Sequence, residues 1–121
     1  MRYTILARLA LGALGLLRPR RAAVLWGADP DLGTVEVVAR IIGARHLAQA
    51  TLLAAHPTRG AHLLSTVVDL LHAATMVLLA ARSAPFRRPA ATSACIAVAL
   101  AAATSVTSRK VGLQALGRAR R

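Results

Sequence analysis

Arg40-Ile41-Ile42-Gly43-Ala44-Arg45-His46-Leu47-Ala48-Gln49 and, further along, Val68-Asp69-Leu70-Leu71-His72 set ionic and polar side chains inside two otherwise apolar stretches. On a helix, residues three or four apart share a face. Ile42, Arg45, His46 and Gln49 therefore form one stripe, and Ser65, Asp69, His72 and Met76 form another. His56-Pro57-Thr58-Arg59-Gly60 lies between them, a short link that predicts an antiparallel hairpin. Counting from Thr58, His46 is 12 residues back and Asp69 is 11 forward, while Arg45 is 13 back and His72 is 14 forward. At about 1.5 Å of rise per residue, both pairs fall at nearly matched depth.

The composition says why such groups must meet. Hydrophobic residues make up 56% of the 121, while aromatics are only 2%: Tyr3, Trp26 and Phe86. A soluble core of this size normally draws on several large rings. Here the apolar content is mostly Ala and Leu, with Gly, Ser and Thr interspersed, the small residues that let helices approach closely in a bilayer. In lipid, an unpaired ionised residue at a helix centre costs roughly 2.5–3.5 kcal/mol on insertion scales. Arg45 cannot shed its charge. The sequence therefore predicts an Arg45–Asp69 ion pair steadied by His46, Gln49 and His72, and a separate local pair between Glu36 and Arg40, four residues apart.

Four apolar segments are expected to be helices: about 3–17, 34–55, 61–81 and 90–108. A span needs roughly 20 residues, which the last three supply. The first is short and broken by Arg8, with Arg2 and Arg18 placed to snorkel at its ends. A cleavable leader is disfavoured, because Arg18-Pro19-Arg20-Arg21 follows instead of small residues. The expected fold is all-α: a four-helix transmembrane bundle in one domain, 1–110, followed by a basic tail, 111–121. Thr34 is placed to cap the second helix, and Trp26-Gly27-Ala28-Asp29-Pro30-Asp31-Leu32-Gly33 and Ser83-Ala84-Pro85-Phe86-Arg87-Arg88-Pro89 mark breaks.

The net charge of +12 is nearly all arginine, clustered at segment ends: Arg18, Arg20, Arg21; Arg82, Arg87, Arg88; Arg109, Lys110, Arg118, Arg120, Arg121. A nucleic-acid surface is disfavoured, since the stacking aromatics of single-strand binders are missing. The expected partners are the bilayer and its anionic headgroups, through these Arg clusters. The tail, the largest cluster, favours both termini on the cytoplasmic side of the cell membrane. Gly43 and the Ala- and Ser-rich fourth segment offer close-packing faces to a second copy or another membrane protein.

Catalytic signatures are missing: no nucleophile elbow, no Gly-rich phosphate loop, no HExxH. Ser65 precedes Asp69 by one turn, but a hydroxyl on a spanning helix ordinarily bonds backbone or packs. Cys95 is single and suits an apolar packing position. His46, Asp69 and His72 are plausible metal-ligand types, and His46 with His72 could in principle bracket a haem. The adjacent Arg45 would repel a cation, so no metal and no cofactor is expected. His56 and His62 flank the link and read as interfacial. Two roles stay open for the polar cluster: fixing helix register in an accessory or scaffold protein, or binding and moving an ion or proton.

The run Arg40–Ala50 with Val68–Met76 resembles small actinobacterial integral membrane proteins of unknown function. It is similar, more loosely, to a wider set of four-helix membrane proteins with Arg-x-x-Gly-x-Arg in the second helix and Asp in the third. The resemblance covers about Leu9 to Ala81, including Gly12, Gly15 and Pro19. It implies a membrane bundle in which Arg40, Arg45 and Asp69 matter, and it implies no activity.

Overall fold

The computed structural model describes residues 2–31 and 33–120; Leu32 of the first long loop and Arg121 of the basic tail lie outside the described residues. The chain is all-helical, with no strand among the described residues. Five helices follow one another: α1 (Arg2–Leu17), α2 (Pro19–Leu25), α3 (Val35–Ala55), α4 (Arg59–Arg82) and α5 (Arg87–Ala119).

Local chemistry sets the boundaries. Arg18 leaves helical geometry because the ring of Pro19 crowds the residue before it. Pro19 itself then opens α2, where its missing N–H costs nothing. This short helix lies where the sequence predicts only a break. It ends at Gly27, whose φ of +80° suits glycine. The Gly27 and Ala28 amides donate back to the Val24 and Ala23 carbonyls, each at 2.9 Å, closing the helix end. The expected cap at Thr34 is not formed: its side chain makes no capping bond. Thr58 takes that role for α4, its Oγ1 accepting from the Ala61 amide at 3.2 Å. Past 108 the helix of α5 simply continues to Ala119, since Val111–Ala119 contains no proline to stop it.

The helices pack as two close pairs, α1 with α3 and α4 with α5. This corrects the expectation that the second and third predicted helices (α3 and α4) form the main packed hairpin. Glycine is the reason. A Cβ on Gly15 would lie 2.7 Å from the Ala39 carbonyl oxygen and 2.9 Å from the Gly43 Cα. A Cβ on Gly43 would lie 2.9 Å from the Gly12 carbonyl oxygen. Backbone thus meets backbone, and the Gly43 face expected to receive an outside partner is covered by α1. Opposite, Ala90, Ala94, Ala97 and Ala101 make one buried face of α5 against α4.

Among the described residues, α4 and α5 are long and apolar enough to cross a membrane. The 16-residue α1 is short for a span, and α3 carries Glu36, Arg40 and Arg45. Only 17% of the most apolar window of α4 is buried. Its Leu63, Leu64, Val67, Leu70, Leu71, Val77 and Leu78 face outward.

Candidate functional site

Four helices contribute to one buried polar centre. Its base is Arg8, on the glycine face of α1. Thr4, Arg8, Gly12 and Gly15 recur at helical spacing and are all buried. The close approach permitted by Gly12 and Gly15 carries the Arg8 side chain into the bundle. There both Arg8 and Asp69 are 0% exposed.

The Arg8 guanidinium meets Asp69 as a two-point fork. Nη2 donates to Oδ2 at 2.5 Å and Nη1 to Oδ1 at 3.3 Å. Nη1 also donates to Gln49 Oε1 at 2.9 Å, and Nη2 to Thr104 Oγ1 at 3.2 Å. Gln49 donates in turn from Nε2 to Asp69 Oδ1 at 3.2 Å, and reaches the Ser65 carbonyl at 3.3 Å and hydroxyl at 3.4 Å. The network therefore ties α1 (Arg8), α3 (Gln49), α4 (Ser65, Asp69) and α5 (Thr104) together. Charge-assisted, two-point pairing of this kind offsets the loss of water around both ions.

The expected Arg45–Asp69 pair is not formed. Arg8 occupies the carboxylate, because α1 rather than α3 brings its guanidinium within reach. Arg45 stands next to the centre. Its Nη2 contacts His46 Nε2 at 3.4 Å, while its Nε and Nη1 are buried without a hydrogen-bond partner. A guanidinium only donates, so His46 Nε2 must be the acceptor in that contact. His46 is 1% exposed, and its Nδ1 also lacks a partner. His72 shares a hydrogen bond with Ser93 Oγ at 2.8 Å, linking α4 to α5. Of the five expected members, Gln49 and Asp69 touch; Arg45 and His46 form a neighbouring pair; His72 bonds elsewhere.

The Glu36–Arg40 pair is also replaced. Glu36 meets Arg20 of α2 at 3.2 Å, in an exposed position. The short helix after Pro19 brings Arg20 there. His62, expected at the interface, is fully buried beneath the start of α4. Among the described residues, no group of three or more His, Cys, Asp or Glu is arranged to hold a metal ion. Thr104 and, above all, Arg8 are the members that sequence reasoning missed. The signal for Arg8 is present: the one charge inside the first segment shares a face with Gly12 and Gly15, and glycines at that spacing mark the side that packs.

Beside the polar centre runs an apolar cleft of about 50 Å³, open on one side, between α2, α3, α4 and α5. Trp26, Phe86, Ile42, Met76 and Ser93 are among the residues that line it. Ser93, the hydrogen-bond partner of His72, is among its lining residues, whereas Arg8, Arg45, His46, Gln49 and Asp69 are not. No protein-family model matches the chain, and no curated protein and no solved structure is similar to it.

Proposed function

We propose that the protein is a small multi-pass component of the cell membrane with a non-enzymatic, structural role, and that the Arg8–Asp69 pair locks its helices in register. The observation that carries this is the reach of one network: a buried ion pair whose hydrogen bonds draw on α1, α3, α4 and α5. A relay would need Asp69 to exchange a proton with a titratable neighbour. Its side-chain contacts are instead Arg8, which stays charged, and Gln49, which does not titrate. His46 and His72 contact Arg45 and Ser93, not Asp69.

The membrane reading is supported by the outward Leu and Val of α4, an apolar surface too continuous for water. The Arg and Lys of the α5 end suit anionic headgroups. Fractionation tests it: the protein stays in the membrane pellet through a high-pH carbonate wash and needs detergent for release. Recovery in the wash supernatant refutes the membrane reading. Asp69→Asn tests the lock. Loss of the folded species supports it, whereas an intact protein with altered proton flux in dye-loaded liposomes favours transport instead.

A further inference from the structure

The chain carries 16 Lys and Arg against four Asp and Glu. Among the described residues only Arg8 with Asp69 and Arg20 with Glu36 form ion pairs, so most of these cations have no acid of their own. Where α1 gives way to α2, the surplus gathers in one place. A surface depression of about 340 Å³ is lined by Arg18, Pro19, Arg20, Arg21, Glu36 and Arg40. Four arginines, from the α1–α2 joint, from α2 and from α3, thus share one hollow with a single glutamate. Arg20 engages that Glu36 at 3.2 Å. The side chains of Arg18, Arg21 and Arg40 have no ion-pair or hydrogen-bond partner among the described residues. Arg20 and Arg21 also line a second depression of about 340 Å³, together with Val24 and Leu25. Val24 follows Arg20 by four residues and Leu25 follows Arg21 by four, so cation gives way to apolar surface within about 6 Å of helix rise. Val24 is 53% exposed and Leu25 71%.

We propose that these two adjoining depressions bind one anionic phospholipid, its phosphate among Arg18, Arg21 and Arg40 and the upper part of an acyl chain against Val24 and Leu25. Guanidinium groups grip phosphate oxygens at two points, and basic clusters beside a bilayer attract anionic lipid. A zwitterionic lipid fits poorly, because its ammonium group would enter a hollow whose one carboxylate is already paired. A free phosphate would fill the cationic hollow and leave the apolar one bare. The groove beside Pro57, near the far end of α5, is less suited: its cations, Lys110 and Arg118, are strung about 12 Å apart along one helix instead of coming from three elements around one hollow. The proposal rests on the membrane reading and adds to it a lipid class and a place on the protein.

Trp26 is the chain's one tryptophan and follows Leu25 directly, so it reports on the acyl position. The full-length protein is reconstituted in phosphatidylcholine vesicles, and acyl-brominated phosphatidylglycerol or, separately, acyl-brominated phosphatidylcholine is titrated in; bromine quenches indole fluorescence at short range. The expected result is quenching by the anionic lipid that saturates at low mole fraction, with a preference over the zwitterionic lipid of roughly fivefold or more. Arg21→Gln with Arg40→Gln removes most of that preference. Lys110→Gln with Arg118→Gln, the same loss of charge near the other end, leaves it unchanged. Equal quenching by the two lipids overturns the proposal, as does a preference that survives Arg21→Gln with Arg40→Gln or falls equally in the other double variant. Glycerol phosphate, the soluble headgroup, is expected to leave the quenching in place; if it relieves it, the site takes a bare phosphate and the proposal is overturned. Should Arg21→Gln with Arg40→Gln fail to fold, the wild-type curve decides: saturation supports one bound lipid, and a rise in simple proportion to mole fraction overturns it. Flotation keeps the two readings apart. Protein that does not float with the vesicles refutes the membrane reading, whereas protein that floats and shows no preference refutes the lipid site alone.

Discussion

Replacing Asp69 with Asn keeps the side chain's shape and removes the charge that faces Arg8. Three hydrogen bonds converge on the carboxylate: two from the Arg8 guanidinium and one from Gln49 Nε2. Asn can keep an acceptor for only part of this set, and its amide nitrogen would point a donor at a donor. The cation left behind costs more than these bonds. Arg8 is fully buried, and stripping the partner from a buried pair costs about 3–5 kcal/mol. The insertion cost of a lone arginine, roughly 2.5–3.5 kcal/mol, is of the same size. By contrast, a single interhelical hydrogen bond in a membrane protein averages about 0.6 kcal/mol, so the charge and not the number of hydrogen bonds decides. A loss of about 3–5 kcal/mol lowers the folding equilibrium roughly a hundred- to a few-thousandfold. The assay is SDS titration of protein in mild detergent, followed by circular dichroism and elution volume. Arg8→Met leaves a buried carboxylate, which can protonate, and falls less far. Arg8→Met with Asp69→Met removes both charges and recovers most of the loss, because no ion stays unpaired. Wild-type unfolding of Asp69→Asn would refute the reasoning. So would a double variant as unstable as the sum of its singles.

The packing and the surface lead to four more expectations. Gly43→Ala should destabilise by about 1–3 kcal/mol in the same titration, since its Cβ would press on the backbone of α1 and force α1 and α3 apart. Gly117→Ala, with nothing within 4 Å of the added carbon, should be neutral or stabilise α5 by up to about 1 kcal/mol. Arg20→Gln breaks an exposed pair with Glu36 and should change stability by no more than about 1 kcal/mol, an effect erased by added salt. Ser93→Ala removes the partner of His72 and should cost about 1 kcal/mol, measurable as an earlier unfolding midpoint without loss of helix content.

How far the sequence reaches depends on what kind of constraint is being read. The depth arithmetic matches His46 with Asp69 and Arg45 with His72, whereas Gln49 is the α3 residue that touches Ser65 and Asp69; what is legible is the α3–α4 link itself, at Pro57 and Thr58. That part is local: a short turn suffices. The partner of Asp69 is not local. Arg8 and Arg45 carry the same charge in equally apolar surroundings, and hairpin proximity favours Arg45. Gly12, Gly15 and Gly43 decide otherwise, because they bring α1 onto α3 closely enough for Arg8 to reach across. Choosing between two candidates for one anion requires knowing which helices touch, and only the glycine spacing hints at that. The partner of Glu36 differs for a related reason: α2 occupies a stretch read as a break, and it delivers Arg20. The length of α5 is also hidden. A charged, weakly apolar sequence such as Val111–Ala119 is compatible with helix or with coil, and its continuity with the preceding helix tips the balance.

The 33 residues of α5 make a rod about 50 Å long, whereas the oily layer of a bilayer is about 30 Å thick. In a layer of that thickness a good third of the rod would stand clear. Gly112 sits beside Arg59, the first residue of α4, so residues 113–119 overhang the bundle by about 10 Å. That overhang bears Arg118 and, at its tip, Arg120, together with the exposed Leu113 and Leu116. The rod is unbroken from this overhang down to Thr104, so one continuous helix joins the exposed end to the hydroxyl that bonds Arg8.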